Sequence, residues 1–256
     1  MHIITLLTDW QNNDYYKAVV KAKLLSQVHD VQFVDISHSV DAFHISQAAF
    51  LLSSAIYQFP EGTIHLFGIQ TIDSENTKVI VARFKKQYII ANDNGIFEVL
   101  NLDFDEIIEV DKDYSHFPMA ENFVPIATEI VLGKPLSEIG KKISKTKKYL
   151  TVQASVEDNM IVCPVNYIDS YGNILVNIRK DLFEKERKGR RFEIVINSRK
   201  YKTNEIHKHY DDVPKSEIFS IFNSAGWLEI GMRMANISNI LNLSEQTNIM
   251  IKFYDV

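Results

Sequence analysis

The chain opens on a run of apolar and β-branched positions, IITLLTD at 3–9, that stops at a carboxylate. A polar segment, WQNND at 10–14, follows, and from Tyr15 to about Ser26 apolar residues return at helical spacing. A short, nearly unbroken apolar run reads as a strand covered on both faces, as in parallel sheets. The opening is therefore predicted to be strand–loop–helix. VQFVDISHSV at 31–40 is another apolar strand, and DAFHISQAAFLLSSAIYQF at 41–59 places apolar residues at steps of three and four with few β-branched ones. That spacing predicts a helix, broken by Pro60, Glu61 and Gly62. TIHLFGIQ at 63–70 reads as a third buried strand, and VIVARF at 79–84 with QYIIAND at 87–93 as the arms of a hairpin. NDNG at 92–95 has turn chemistry, since Asn and Gly tolerate positive φ. A short helix over 96–102 and a strand over 106–110 follow. FVPIATEIVLG at 123–133 is predicted as a helix with Gly133 at its C-cap and Pro135 behind it.

Residues 140–149, GKKISKTKKY, change the pattern: lysine-rich and with little apolar periodicity, they suit a solvated linker between domains, an anion-binding patch being the alternative. Beyond them come short runs of alternating or buried character: LTVQASV, MIVCPVNYID, NILVNI, RFEIVIN, KYKTNEI, IFSIFN, WLEIGM and NIMIKFYDV. Such runs, separated by turn residues, predict a barrel or sandwich. EKERKGRR at 184–191 is expected to be an exposed loop of it. The expected architecture is an α/β N-terminal domain with a largely parallel sheet over 1–145, followed by a smaller all-β, barrel-like domain over 146–256.

Composition narrows the partners. A formal charge of -5 argues against nucleic acid as a main partner. The single cysteine, Cys163, excludes a disulfide framework and fits a reducing cytoplasm; within MIVCPV it reads as a buried, inert thiol. No apolar run approaches the roughly 20 residues of a membrane span. The chain enters a strand at once without a basic leader, so a cytoplasmic location and no membrane association are expected. GxGxxG and P-loop motifs are absent, so dinucleotide and NTPase readings lack their phosphate cradle. The histidines are scattered, with HKH at 207–209 a weak surface metal site at best, and no metal is expected. In open α/β sheets ligands gather at the carboxyl ends of the strands. Asp9 stands at such an end. The plainer alternative is that Asp9 and Asp14 cap the following helix.

Five stretches in order carry a resemblance: LTDWQNNDYY at 7–16, FVDISHSVDAFHISQAAFLL at 33–52, ANDNGIF at 91–97, NYIDSYGNILVNI at 166–178 and NSAGWLEI at 223–230. Together they resemble the S-adenosyl-L-methionine (SAM) hydroxide adenosyltransferases and their fluorinase and chlorinase relatives. The resemblance implies cleavage of SAM by attack of water, hydroxide or halide on the ribose C5′ carbon, with methionine expelled. It implies an α/β domain plus a β-barrel, and a homotrimer whose ligand lies between one subunit's N-terminal domain and its neighbour's C-terminal domain. SAM or adenosine is then the ligand, with no separate cofactor. Carried over by position, Asp9 binds the ribose hydroxyls, as a carboxylate can accept two hydrogen bonds from a cis-diol. Asp14 lies near the methionine end, Asp169 meets the methionine ammonium, Asn173 reads adenine, Ser224 approaches the methionine carboxylate, and Phe43 flanks the ribose. Without a ligand, 169–173 and 223–226 would still make turns, and Phe43 would still serve as core.

The departures bear on the chemistry. The hydroxide-using members share a run like VDPGVG followed by an Arg, and a later His, which together position and polarise the attacking water. Gln70 stands where that Asp belongs, Thr77 at the Arg position with Lys78 beside it, and Pro118 at the His position with His116 two residues away. The loop glycines are replaced by Thr71, Ile72, Asp73 and Ser74, and Gln11 stands where a Gly usually follows the first strand's Asp. The halogenases resemble one another in an aromatic at the position of Gln70. The sulfonium is already a good leaving group, and general-base help is worth roughly 10²–10⁴-fold. The expectation is slow SAM cleavage, with Lys78 or His116 as candidate replacements. The alternatives are a catalytically silent SAM- or adenosine-binding protein and, more remotely, a halogenase.

Overall fold

The computed structural model describes residues 1–71, 77–197 and 201–255; the substituted loop positions Ile72, Asp73 and Ser74 lie outside the described residues. The first part of the chain runs β1 (His2–Thr8), α1 (Tyr16–Leu25), β2 (Val31–Ser37), α2 (Ile45–Ala55), β3 (Ile64–Gly68), β4 (Val79–Phe84), β5 (Gln87–Asn92), α3 (Ile96–Leu100) and β6 (Glu106–Val110). A π-helical turn (Met119–Phe123) then leads into α4 (Val124–Val131), α5 (Leu136–Ile139) and the short β7 (Lys141–Lys142).

The seven strands form one sheet in the order β2-β1-β3-β5-β4-β6-β7. β1 is parallel to β2 and β3, and β3 to β5. The pairings of β4 with β5, β4 with β6 and β6 with β7 are antiparallel. The sheet is thus mixed: the expectation of a largely parallel sheet holds for β2-β1-β3-β5 and not for β4, β6 and β7. The cause is the two-residue link Lys85–Lys86, whose φ values of 47° and 61° make the tight turn that joins antiparallel neighbours. A parallel return needs a crossover of about a dozen residues.

Alternate strand residues enter different cores. Ile4, Leu6, Leu66, Val81 and Ile90 pack with Val20, Leu24, Phe123 and Ile126 on one face. Leu7, Phe67, Ile80, Ile89 and Ala91 pack with Ile45, Ala48 and Leu52 on the other. Covering both faces is why these strands read as unbroken apolar runs. The helix over 124–131 closes as the pattern predicts. With Gly133 at φ 83°, its N–H donates to Ile130 O and that of Lys134 to Glu129 O.

The lysine-rich stretch is not a free linker. Lys141–Lys142 pair with β6, Lys147 N–H donates to Asp93 Oδ1 at 2.8 Å, and Ile143 and Tyr149 pack on the core. Two apolar anchors suffice to hold the segment down while its lysines stay exposed. The first compact unit accordingly extends to Thr151.

The second unit begins at Val152. It comprises β8 (Ser155–Glu157), β9 (Met160–Ile168), β10 (Ile174–Arg179), α6 (Lys180–Arg187), β11 (Arg191–Val195), β12 (Lys202–Thr203), β13 (Ile218–Phe222), β14 (Trp227–Met232), α7 (Ile237–Leu241) and β15 (Asn248–Tyr254). The order is β12-β11-β15-β9-β10-β14-β13, with β8 on β9, and every pairing is antiparallel. The end strands β12 and β13 approach each other, so the sheet is nearly closed and barrel-like. The first half of 184–191, expected to be a loop, is the second half of α6. Phe183 anchors that helix, its ring 5.2 Å from Phe192 and 5.4 Å from Phe222. Cys163 is fully buried, and desolvation pushes its thiol up to about 12, so it is inert.

Candidate functional site

In the first unit the candidate residues Asp9, Phe43 and Gln70 gather where β1, β2 and β3 end. Asp9 follows the last residue of β1. Its Oδ2 accepts the backbone N–H of Phe43 at 3.0 Å and that of Gln70 at 3.3 Å. One carboxylate oxygen thus staples the loop after β2 and the loop after β3 to the end of β1. Oδ1 takes no hydrogen bond among the described residues. The stapled residues hold unusual backbones: φ is 66° at Phe43, 46° at Gln70 and 64° at neighbouring Gln11. Each such non-glycine costs on the order of 1–3 kcal/mol and persists only where its surroundings over-determine it. Gln11 adds a further tie, its Nε2 donating to Val40 O at 3.1 Å.

The helix-capping alternative for the acids fails. Tyr15 occupies the N-cap of α1, and no side chain caps that end. Asp14 is exposed in the turn before it. Phe43 is not core either, being 68% exposed.

Behind this edge a chain of polar contacts runs from buried Thr8 and His38 out to Asp35 and Lys21 at the surface. Thr8 Oγ1 and His38 Nδ1 are 2.7 Å apart, His38 Nε2 is 3.2 Å from Asp35 Oδ1, and Lys21 Nζ is 2.6 Å from Asp35 Oδ2. Burial lowers the pKa of His38 despite the attraction of Asp35. Burial alone would raise that of Asp35, but Lys21 and His38 together bring it below its usual value. The ANDNGIF stretch braces the loop after β3. Asn94 Nδ2 donates to Ile69 O at 2.8 Å, and Asn92 Nδ2 donates to Thr71 O. Burial raises the pKa of the Asp93 carboxyl, opposed by its bond from Lys147.

Pro118 is buried, and its neighbour Met119 packs against Gly68 at the end of β3. A Cβ at Gly68 would fall 2.0 Å from Met119 Sδ and 3.0 Å from Thr8 Cγ2. Phe117 packs edge-on against Trp10 and Tyr16, both at 5.6 Å. The segment around Pro118 therefore belongs to the same sheet edge as Asp9 and Gln70. The two candidate replacements are placed differently. Lys78 Nζ is 2.5 Å from Glu109 Oε1 on β6, on the side of β4 away from β1. His116 is exposed, its ring 5.3 Å from Tyr114. Thr77 is half-buried just before β4.

In the second unit, Asp169 closes the turn before β10. Its Oδ1 accepts the N–H groups of Tyr171 at 2.9 Å and Asn173 at 2.8 Å, and its Oδ2 accepts Asn173 Nδ2 at 3.2 Å. Asn173 Nδ2 also donates to Glu229 Oε1 at 3.1 Å. Glu229 Oε2 accepts from Asn223 Nδ2 at 3.3 Å and lies 3.5 Å from the Tyr210 hydroxyl. Glu229 is 5% exposed. Burial raises the pKa of its carboxyl, Asp169 adds to the rise, and the bonds from Asn223, Tyr210 and Asn173 oppose it. Burial, then Glu229, raises the Tyr210 phenol. Ser224 is exposed in the Asn223–Gly226 turn. Asn223 Oδ1 braces that turn by accepting from the N–H groups of Ala225 and Trp227, both at 3.1 Å. Arg179 completes it, stacked 4.2 Å above Trp227 and donating to Ala225 O at 3.1 Å.

Asp169 and Asn173 are brought together as the sequence suggests, and Ser224 lies in the turn that begins at Asn223. Glu229, Asn223 and Tyr210 were not singled out in the sequence. The available signal was Glu229 itself, a lone acid inside the apolar run WLEIGM. Among the described residues no three metal-binding side chains converge, and no helix is long and apolar enough to cross a membrane.

Comparison with known proteins bears directly on this arrangement. Residues 4–140 match the model of the SAM hydroxide adenosyltransferase N-terminal domain, and residues 163–250 match that of its C-terminal domain. The chain is 29% identical to an (R)-S-adenosyl-L-methionine hydrolase from Methanocaldococcus jannaschii, over 98% of this chain and 96% of that one. Among solved structures, it superposes on a conserved protein from Thermotoga maritima with a TM-score of 0.87 at 26% identity, covering 98% of this chain and all of the other. A conserved protein from Thermus thermophilus shares the fold, with a TM-score of 0.77 at 20% identity, covering 99% of this chain and all of the other.

Proposed function

Because the chain belongs to the SAM hydroxide adenosyltransferase family, we propose that it binds SAM and cleaves it slowly to adenosine and methionine. Water is the nucleophile in this reading. Its oxygen bonds to C5′ as the C5′–S bond breaks, the electron pair leaves on the methionine sulfur, and one water proton is released to solvent. The observation that carries the reading is the staple at Asp9. One carboxylate oxygen is committed to two backbone N–H groups, which fixes the orientation of the other for the ribose hydroxyls. Phe43, exposed and held by the same staple, flanks the sugar in this reading. Asp14, Asp169, Asn173 and Ser224 take the methionine and adenine contacts that the resemblance implies, in a homotrimer. A monomer in sedimentation equilibrium at micromolar concentration would contradict the trimer.

Slowness follows from what stands at the water-positioning places. Gln70 can hold a water through its amide but carries no charge to draw off a proton. Pro118 has neither a donor side chain nor a backbone N–H. Losing acid–base help costs roughly 10²–10⁴-fold, while leaving desolvation and in-line placement of the water intact. The Lys78 ammonium is occupied by Glu109, which leaves exposed His116 as the better candidate replacement. The test is single-turnover release of adenosine and methionine, followed by chromatography, for wild type, His116→Ala and Lys78→Ala. Slow release by wild type, unchanged in Lys78→Ala, is expected. Fast release by wild type refutes the slow reading, and its collapse in one variant identifies the replacement group. The substitutions at Gln70 and Pro118 favour a second reading, a protein that binds SAM or adenosine without turnover. Binding with no adenosine formed over many hours would establish it.

A further inference from the structure

Three consecutive residues just past β3 are each held through the backbone by a different side chain. Asn94 Nδ2 donates to Ile69 O at 2.8 Å, Gln70 N–H donates to Asp9 Oδ2 at 3.3 Å, and Asn92 Nδ2 donates to Thr71 O. Gln70, in the middle, has φ 46°, in the left-handed region where a side chain is crowded. A non-glycine stays there only while its surroundings over-determine it. Ile69 is fully buried and Asn94 is 3% exposed, so bulk water does not stand in for the amide on the Ile69 C=O.

The donors are themselves fixed. Asn94 Oδ1 accepts the Ile96 N–H at 3.2 Å, which dictates that the NH₂ end of the amide points at Ile69. Gly95, at φ 103°, is covered by Tyr149: a Cβ there would fall 2.7 Å from two atoms of that side chain. Asp93 Oδ1 accepts the Lys147 N–H at 2.8 Å. The turn that carries Asn92 and Asn94 is thus gripped from its far side by 147–149, and it does not yield to the loop it holds.

We propose that Asn94 is a positioning residue for the nucleophile. Through the Ile69 C=O, with Asn92 as the second anchor, it keeps Gln70 in its left-handed conformation and so sets where the Gln70 amide holds the water. The inference rests on the reading above in which Gln70 holds the attacking water. With no charged base at this position, placement is what the loop contributes to the rate, and placement is sensitive to small displacements. Releasing an anchor lets Gln70 relax to negative φ, a rotation about N–Cα that carries its whole side chain with it.

Asn94→Ser separates the clamp from the turn. Its hydroxyl can still accept the Ile96 N–H in the same kind of turn but is too short to reach the Ile69 C=O. The test is single-turnover formation of adenosine by the full chain in its native assembly, with enzyme in excess over SAM and its concentration varied. The curve gives the saturating rate and the half-saturating concentration separately. In Asn94→Ser the saturating rate is expected to fall roughly 10–100-fold, as for a displacement of about 1 Å, with half-saturation within about threefold of wild type. An unchanged rate overturns the proposal. So does a parallel loss of rate and affinity, which a purely structural or a ligand-binding role for Asn94 would produce. Thermal melting shows whether the variant is folded. If it is not, Asn92→Ser, which releases only the Thr71 C=O, decides by the same two criteria. A wild type that turns SAM over no faster than folded Asn94→Ser removes this inference alone. A wild type that forms no adenosine removes the proposed cleavage and this inference with it.

Discussion

Replacing Asp9 by alanine removes two interactions at once, and their separate magnitudes can be worked out. The carboxylate accepts Phe43 N–H at 3.0 Å and Gln70 N–H at 3.3 Å. Hydrogen bonds to a charged group are worth roughly 1.5–3 kcal/mol each. The second is long, and Phe43 is exposed enough for its N–H to find water in the variant. Strain at the two positive-φ residues is also relieved once the staple is gone. The net loss of stability should therefore lie near the worth of one good bond, about 2 kcal/mol. Ligand binding should fall by a further ~1.5–3 kcal/mol, or roughly 10–150-fold in Kd. Asp9→Asn separates the two effects. Its amide oxygen can still accept from Phe43 and Gln70, retaining part of the stability, while its NH₂ faces the ribose hydroxyls in place of an acceptor. Urea unfolding in a Trp227→Phe background reports the first unit through Trp10, since the chain has 2 tryptophans. Calorimetry with adenosine gives the binding term. If Asp9→Ala unfolds within about 0.5 kcal/mol of wild type, the staple contributes nothing. If it binds adenosine as wild type does, Asp9 is not in the site.

Two further outcomes are expected. His65 is buried and neutral, its Nδ1 2.8 Å from Thr5 Oγ1 and its Nε2 2.7 Å from Gln87 Oε1, and burial brings its pKa down from 6.5 to about 4. The unfolded chain therefore binds the proton first, and stability is lost as pH falls from 6.5 towards 4 by ~1.4 kcal/mol per unit, or about 2 kcal/mol at pH 5 relative to pH 7.5. His65→Gln should lack that part of the slope in urea titrations at the two pH values, and equal slopes would contradict the assignment. Gly68→Ala places a methyl against Met119 Sδ and Thr8 Cγ2 in the core and should cost ~1–3 kcal/mol by the same assay. It should also slow SAM turnover, because Met119 is adjacent to Pro118; unchanged stability would show that Met119 simply rotates away.

Much of this protein is legible in its sequence because the signals are local. Unbroken apolar runs marked β1, β3 and the hairpin arms, since both faces of that sheet are covered. Three- and four-residue spacing marked α2, and Gly133 marked the end of α4 because only glycine takes φ 83° there without strain. The position of Asp9 at a strand end was also readable, and with it the family. Tertiary structure decided the rest. The Lys85–Lys86 turn was visible, but its consequence, a sheet half antiparallel, depends on where β4 docks. The eight residues of α6 owe their helix to Phe183, which packs on Phe192 nearby and on Phe222 and Phe253, both distant in sequence. Nothing local tells that Asp9 shares one oxygen between residues 34 and 61 positions away. Nor does it tell that Glu229, one acid in an apolar strand, holds an asparagine 56 positions earlier. Propensity and periodicity act over a few residues, whereas a carboxylate finds its donors wherever the fold brings unsatisfied N–H groups together in a buried, low-dielectric setting.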